Sequence, residues 1–162
     1  MVTGVQTCAL PIWDMHISTK CSVAVHCLIF IYEYGEKAKV TSELLSRSTG
    51  INPVTIRNIF RALKNEGMIS VKVGTGGATL TESPEKINLY RICKAIEPDF
   101  LVKLIGVHAN PSQLCPVGRN IHGVLEHSYE KIRTDLCATL EKITLRDMIT
   151  DYEQTKPDAP GL

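Results

Sequence analysis

From His16 to Tyr34 the apolar residues fall at positions 17, 21, 24, 25, 28, 31 and 32. That is the i, i+3/i+4, i+7 rhythm of an amphipathic helix, and Gly35 provides its stop. After the polar stretch GEKAK, Thr41 or Ser42 can cap a short helix through Ser48 whose apolar members are Leu44 and Leu45. Gly50 suits the left-handed residue that ends it. Asn52 can then cap a third helix with Pro53 at its first position, where proline lacks only a hydrogen-bond donor that would have no partner. Ile56, Ile59, Phe60 and Leu63 mark its buried stripe, and it ends near Gly67. Two helices joined by a tight turn at Gly50 predict a helix-turn-helix.

Met68 to Val73 alternates apolar with polar, Gly74-Thr75-Gly76-Gly77 turns the chain, and Ala78 to Thr81 can return as a second strand. Asn88 can cap a helix with Leu89, Ile92, Cys93 and Ile96 on one face, ended by Pro98. Phe100 to Val107 is apolar but compatible with either helix or strand. Val117 to Ile143 reads as one long helix with apolar side chains at 117, 121, 124, 125, 129, 132, 136, 140 and 143. At 1.5 Å per residue it is roughly 40 Å long, more than so small a domain covers with its own core, which predicts a partner subunit. Thr144 with Asp147 forms a capping-box-like start for a last helix to about Tyr152.

The 162 residues are 44% hydrophobic and 22% charged, which suits a globular domain with an extension and excludes intrinsic disorder. Eighteen basic residues against seventeen acidic give a formal net charge of +1. The distribution is uneven: between Lys37 and Gly77 lie seven basic residues and only two acidic ones, Glu43 and Glu66. A basic face over a helix-turn-helix and a hairpin is the electrostatic footprint of a nucleic-acid binder, so double-stranded DNA is the expected partner. Nothing reads as a membrane span. With no secretory signal and no C-x-x-C pair, the six cysteines are expected as reduced thiols in a cytoplasmic protein.

On the third helix the positions left after the core stripe is assigned are Pro53, Val54, Thr55, Arg57, Asn58 and Arg61. Arginine suits the paired acceptors of a guanine edge, asparagine those of adenine, and a Val54 or Thr55 methyl can touch thymine. Recognition helices use their N-terminal residues for bases, so Val54, Thr55, Arg57 and Asn58 are expected there, with Arg61 nearer the phosphates. Lys72, Thr75, Gly76 and Gly77 of the hairpin can approach backbone or minor groove.

The stretches MHISTK (15–20), TSELL (41–45), INPVTIRNIFRALKNEGMISV (51–71), GTGG (74–77), INLYRICKAI (87–96) and NPSQLCPVGRNIHGVLE (110–126) resemble the Rrf-two, or BadM-type, family of winged helix-turn-helix transcriptional regulators. The phrases NPVTIR and CPVGRNIH are most similar to its subgroup without an iron–sulfur cluster. The resemblance implies a mainly α fold with a small β-hairpin wing and a long C-terminal dimerisation helix, working as a homodimeric bacterial repressor and not as an enzyme. It implies further DNA contacts from Ser18, Thr19, Lys20, Thr41, Ser42 and Asn52. The dimer would be made by Val117, Ile121, Val124, Leu125, Tyr129, Ile132, Leu136 and Leu140. Where many members carry Gly-Arg-Tyr after Ser-Thr-Lys, this chain has Cys21, Ser22 and Val23.

Cluster-binding members have three closely spaced cysteines before the long helix, and here only Cys115 stands there, flanked by His108 and His122. No metal or cofactor is expected. His122 and His127 are five apart and point away from each other on a helix, unlike the pair of a zinc motif. Cys21, Cys27 and Cys93 lie on or beside apolar stripes and read as small core residues. Cys115, beside Arg119 near a helix start, is the candidate redox sensor; a small-molecule or protein effector binding near Phe100 to Cys115 is the alternative on the same scaffold. Residues 1–14 are expected to be a non-native leader, since VTGVQTCALPI is similar to the conceptual translation of a sequencing adapter. The expected division is then a DNA-binding domain at 15–98, a connecting segment and long helix at 99–153, and a flexible tail at 154–162.

Overall fold

A computed structural model describes residues 17–72, 74 and 77–155; the suspected leader, Thr75, Gly76 and the tail from 156 lie outside the described residues. Helix α1 (Thr19–Tyr34) starts later than the periodicity predicts because Ser18 is its cap, its hydroxyl accepting from the Lys20 backbone N–H at 3.3 Å. Cys21, Ala24, Cys27, Leu28, Phe30 and Ile31 are all buried, so the helix is enclosed on more than the one face its spacing advertised. Helix α2 (Ser42–Thr49) is capped by Thr41, whose hydroxyl accepts from Leu44 N–H at 3.2 Å, and ended by Gly50 at φ 70°. Helix α3 (Pro53–Asn65) is capped by Asn52, whose Oδ1 accepts from Val54 N–H at 2.8 Å. Ile56, Ile59, Phe60 and Leu63 enter one core with Leu28, Ile31, Val40 and Leu45.

Strands β1 (Ile69–Val71) and β2 (Ala78–Leu80) pair antiparallel with Ile69 opposite Leu80 and Val71 opposite Ala78, a shorter hairpin than the alternation predicts. Ala78 N–H donates to the Val40 carbonyl at 2.9 Å, tying the wing to the segment before α2. That tie explains Gly77: a Cβ there would lie 2.5 Å from the Val40 backbone nitrogen. Its missing side chain makes room for Val40.

After a 3-10 turn (Pro84–Lys86) come α4 (Leu89–Ile96), capped by Asn88, and α5 (Phe100–Leu104), which resolves the ambiguous apolar run as one helical turn with Phe100 buried. Helix α6 (Pro116–Lys142) is the predicted long helix. Thr144 and Asp147 form the reciprocal box that starts α7 (Leu145–Thr155): Thr144 N–H donates to the Asp147 carboxylate at 2.8 Å and Asp147 N–H to the Thr144 hydroxyl at 3.2 Å. Helix α7 therefore continues two residues into the stretch expected as tail.

The chain closes on itself through α7. Leu89 N–H donates to Ile143 O at 2.8 Å and Leu145 N–H to Ile87 O at 2.7 Å, a one-residue antiparallel bridge beside α4. Leu145 and Ile149 are buried in the main core with α1, and Arg146 donates to Glu85 at 2.8 Å and to the Tyr32 hydroxyl at 3.0 Å. Residues grouped with the long helix by sequence order thus complete the core of the helix-turn-helix unit. A smaller cluster of Cys21, Cys93, Phe100 and Leu140 seats the C-terminal part of α6 against α1 and α4. Because Ile149 is fully buried, Ile149→Ala is expected to cost about 2–5 kcal/mol of unfolding free energy through lost burial and the cavity left behind. A urea denaturation midpoint that does not move would show that α7 is not part of the core.

Candidate nucleic-acid interface

With its buried stripe committed to the core, α3 presents Val54, Arg57, Asn58 and Arg61 to solvent, with Pro53 and Thr55 half-buried at its start. Val54 is 56% exposed, so its methyls are open to contact. Strand β1 follows α3 and packs on it, carrying exposed Lys72 at its end. Lys39 donates through Nζ to the Gly74 carbonyl and so joins the turn of the wing to the start of α2.

The other expected contact residues divide by role. Thr19 and Lys20 are exposed at the start of α1, while Ser18, Thr41 and Asn52 spend their side-chain oxygens on capping. Ser42 is buried and its hydroxyl bridges Glu43 and Arg57, which corrects its expected place on the DNA surface. Thr75 and Gly76 lie outside the described residues.

Arg57 is not a free arginine. Its Nη2 donates to Glu43 Oε1 at 2.8 Å and its Nε to Ser42 Oγ at 3.3 Å, so α2 holds the guanidinium of α3 in one orientation. The same hydrogen bond from Arg57, with help from the backbone and Ser42, holds the Glu43 carboxyl down to about 2. The sequence reading missed Glu43. Fourteen residues separate the partners, and only the crossing of α2 and α3 brings them together.

On α6 the expected dimer residues also separate. Val117 and Val124 are about two-thirds exposed, and Ile132 about half, whereas Ile121, Leu125 and Tyr129 are half-buried beside them. Leu140, in contrast, is only 4% exposed and packs on Cys21, Cys93 and Phe100 of its own chain, with Leu136 against the same cluster. Leu140 is thereby committed to its own chain, while Leu136 is half-buried at the edge of the same cluster.

The family model described as "Rrf2: Iron-dependent Transcriptional regulator" matches residues 17–151. The chain belongs to the Rrf2 family. An HTH-type transcriptional regulator of Bacillus subtilis (strain 168), YwnA, is 29% identical over 133 residues, covering 82% of this chain and 96% of the relative. Among solved structures, a transcriptional regulator from Lactobacillus plantarum superposes with a TM-score of 0.69 at 27% identity, covering 84% of this chain and 91% of its own. T. potens IscR superposes with a TM-score of 0.65 at 20% identity, covering 91% and 95%, a likeness of fold. This Rrf2 chain is accordingly a winged-helix transcriptional regulator and not an enzyme.

The iron in the family's description can be tested against the donors present. Cys115 is exposed at the cap position of α6 and makes no capping hydrogen bond through its side chain. His108 and His122 meet edge to ring with centroids 5.9 Å apart, His122 Nε2 lying 3.0 Å from the His108 carbonyl. Among the described residues, no three Cys, His, Asp or Glu side chains converge to hold a metal ion. This donor set does not fit an iron site or a cluster. Nor is any described helix long and apolar enough to cross a membrane.

The Arg57 tether yields a measurable titration. Because the Glu43 carboxyl is held below its ordinary 4.5, its ion pair with Arg57 forms as pH rises above the acid range and is lost as pH falls through about 2. An NMR titration of the Glu43 carboxylate should give that low midpoint in the native protein and a return toward 4.5 in Arg57→Ala. Equal midpoints in the two proteins would show that Arg57 is not its partner in solution.

Proposed function

We propose that this regulator is a homodimeric repressor that binds a pseudo-palindromic DNA operator, placing the N-terminal half of α3 in the major groove and the β1–β2 wing beside it, without a metal cofactor. The observation that carries the reading is the outward face of α3: Val54, Arg57, Asn58 and Arg61 stand exposed in the segment that holds the chain's excess of basic residues. This combination supplies guanine-, adenine- and methyl-directed groups together with phosphate-binding charge. Arg57, Asn58, Val54 and Thr55 are assigned to base edges, and Arg61, Lys72, Thr19 and Lys20 to the backbone.

The dimer reading rests on α6. Among the described residues, nothing buries the apolar stripe of this 27-residue helix through Val117, Ile121, Val124, Leu125 and Ile132. A second copy is the occupant that matches a stripe of this length, since two antiparallel α6 helices are self-complementary under a two-fold axis. The axis would also set the spacing of the two α3 helices, and hence of the operator half-sites.

Binding to DNA from upstream of its own gene tests the first part. Arg57→Ala is expected to cost about 1–3 kcal/mol and to relax preference at one operator position, whereas Lys72→Ala should weaken all sequences alike and lower the salt slope by about 1. If neither change alters fluorescence-anisotropy binding curves, the assigned roles fail. Val124→Asp tests the second part: sedimentation should fall from twice the 17.9 kDa chain mass to that of one chain. An undiminished dimer would place the subunit contact elsewhere.

A further inference from the structure

Two thiols that sequence spacing treats as unrelated core residues meet in the folded chain. Cys21 is the third residue of α1 and Cys93 the fifth of α4. Each is at most 2% exposed, and both belong to the small cluster of Phe100 and Leu140. The two thiols share a side-chain hydrogen bond, yet both are free cysteines.

Their surroundings differ from those of the other described thiols. Burial alone pushes Cys27 up to about 12, and burial with the Glu141 carboxylate raises Cys137. Cys93 is the exception: the hydrogen bond with Cys21 favours its thiolate against the cost of burial and draws it below the ordinary thiol value. Cys21 is held well above that value by the same partner, by burial and by Glu97. Two free thiols enclosed together in one buried cluster are the arrangement from which a disulfide can form.

We propose that Cys21 and Cys93 form a reversible dithiol–disulfide site, oxidised by peroxides, that joins α1 covalently to α4 beneath the seat of α6. The Cys93 thiolate attacks one oxygen of hydrogen peroxide, breaking the O–O bond to give a sulfenic acid and hydroxide, which takes up a proton to become water. The Cys21 sulfur then attacks the sulfenic sulfur, forming the S–S bond and releasing a second water with the Cys21 proton. Two thiols lose two electrons and two hydrogens, and one peroxide becomes two waters. Apolar walls of Phe100, Leu140, Leu136 and Ile96 exclude bulk water and larger thiols, so the resolving thiol in contact reaches the sulfenic acid before a second peroxide does. Cys115, the exposed thiol expected as the sensor, has no second sulfur assigned to it.

The test does not depend on DNA binding. Full-length reduced protein, with six cysteines, is treated with equimolar hydrogen peroxide, and thiols are counted after denaturation in the presence of alkylating agent. The expected count is four, with a mass loss of two hydrogens and one disulfide-linked tryptic pair joining the peptide that begins at Cys21 to that containing Cys93. Dithiothreitol should restore all six. Because Cys27 shares the first peptide, the map is repeated in Cys27→Ser, where the link should persist. Cys115→Ser should also react normally, and Cys93→Ser should form no link. The proposal is overturned if six thiols remain, if the linked pair includes Cys27, Cys115 or Cys137, or if Cys93 goes on to sulfinic acid. The wild-type map decides the matter even if Cys93→Ser does not fold.

Discussion

Enclosure of α1 is the constraint from which the rest of the structure follows. A 16-residue helix whose buried positions include Cys21, Ala24, Cys27, Leu28, Phe30 and Ile31 cannot rest on a single neighbour. It packs against α2, α3, α4, α7 and β2, and each of these brings one apolar stripe to it. Burying a leucine or isoleucine stabilises the fold by about 1.5–3 kcal/mol each, whereas the exposed ion pairs on the surface contribute little. The helix-turn-helix is thus held from behind, by a core that leaves the outer face of α3 uncommitted.

Helix α6 presents the opposite case. It is the longest element, and Leu140 alone among its side chains is buried. Its C-terminal half is seated by the Cys21–Cys93–Phe100 cluster, and its N-terminal half extends beyond the α1-centred core. Covalent change at that cluster would therefore act where the seated half of α6 meets its exposed half. The tether of Arg57 to Glu43 acts on a smaller scale, fixing a side chain where the cluster fixes a helix.

The helices were legible because their signals are local. Thr41, Gly50, Asn52-Pro53, Asn88 and the Thr144–Asp147 box all occupy the cap positions their chemistry suits, and the stripe of α3 is the one its spacing predicts. What could not be read is what lies far apart in sequence. Ser42 as a buried bridge, Gly77 as room for Val40, Leu140 as an intrachain contact and Glu43 as the partner of Arg57 each depend on how two elements cross. The phrases that resemble the family cover α3 but carry no information on which of its side chains are already engaged, as Arg57 is with Glu43. Cys115 drew attention as a solitary loop thiol; the paired thiols were invisible because α1 and α4 are adjacent only in space.

The antiparallel bridge at Asn88 and Thr144 and the contact of Arg146 with Tyr32 also bear on the order in which the molecule is made. Tyr32 waits for a partner 114 residues downstream, and the core around α1 lacks Leu145 and Ile149 until then. A chain emerging from the ribosome N-terminus first has α3 early, yet cannot close the core behind it until α7 has been made. Chains that end before α7 would therefore leave the apolar stripe around α1 open to solvent.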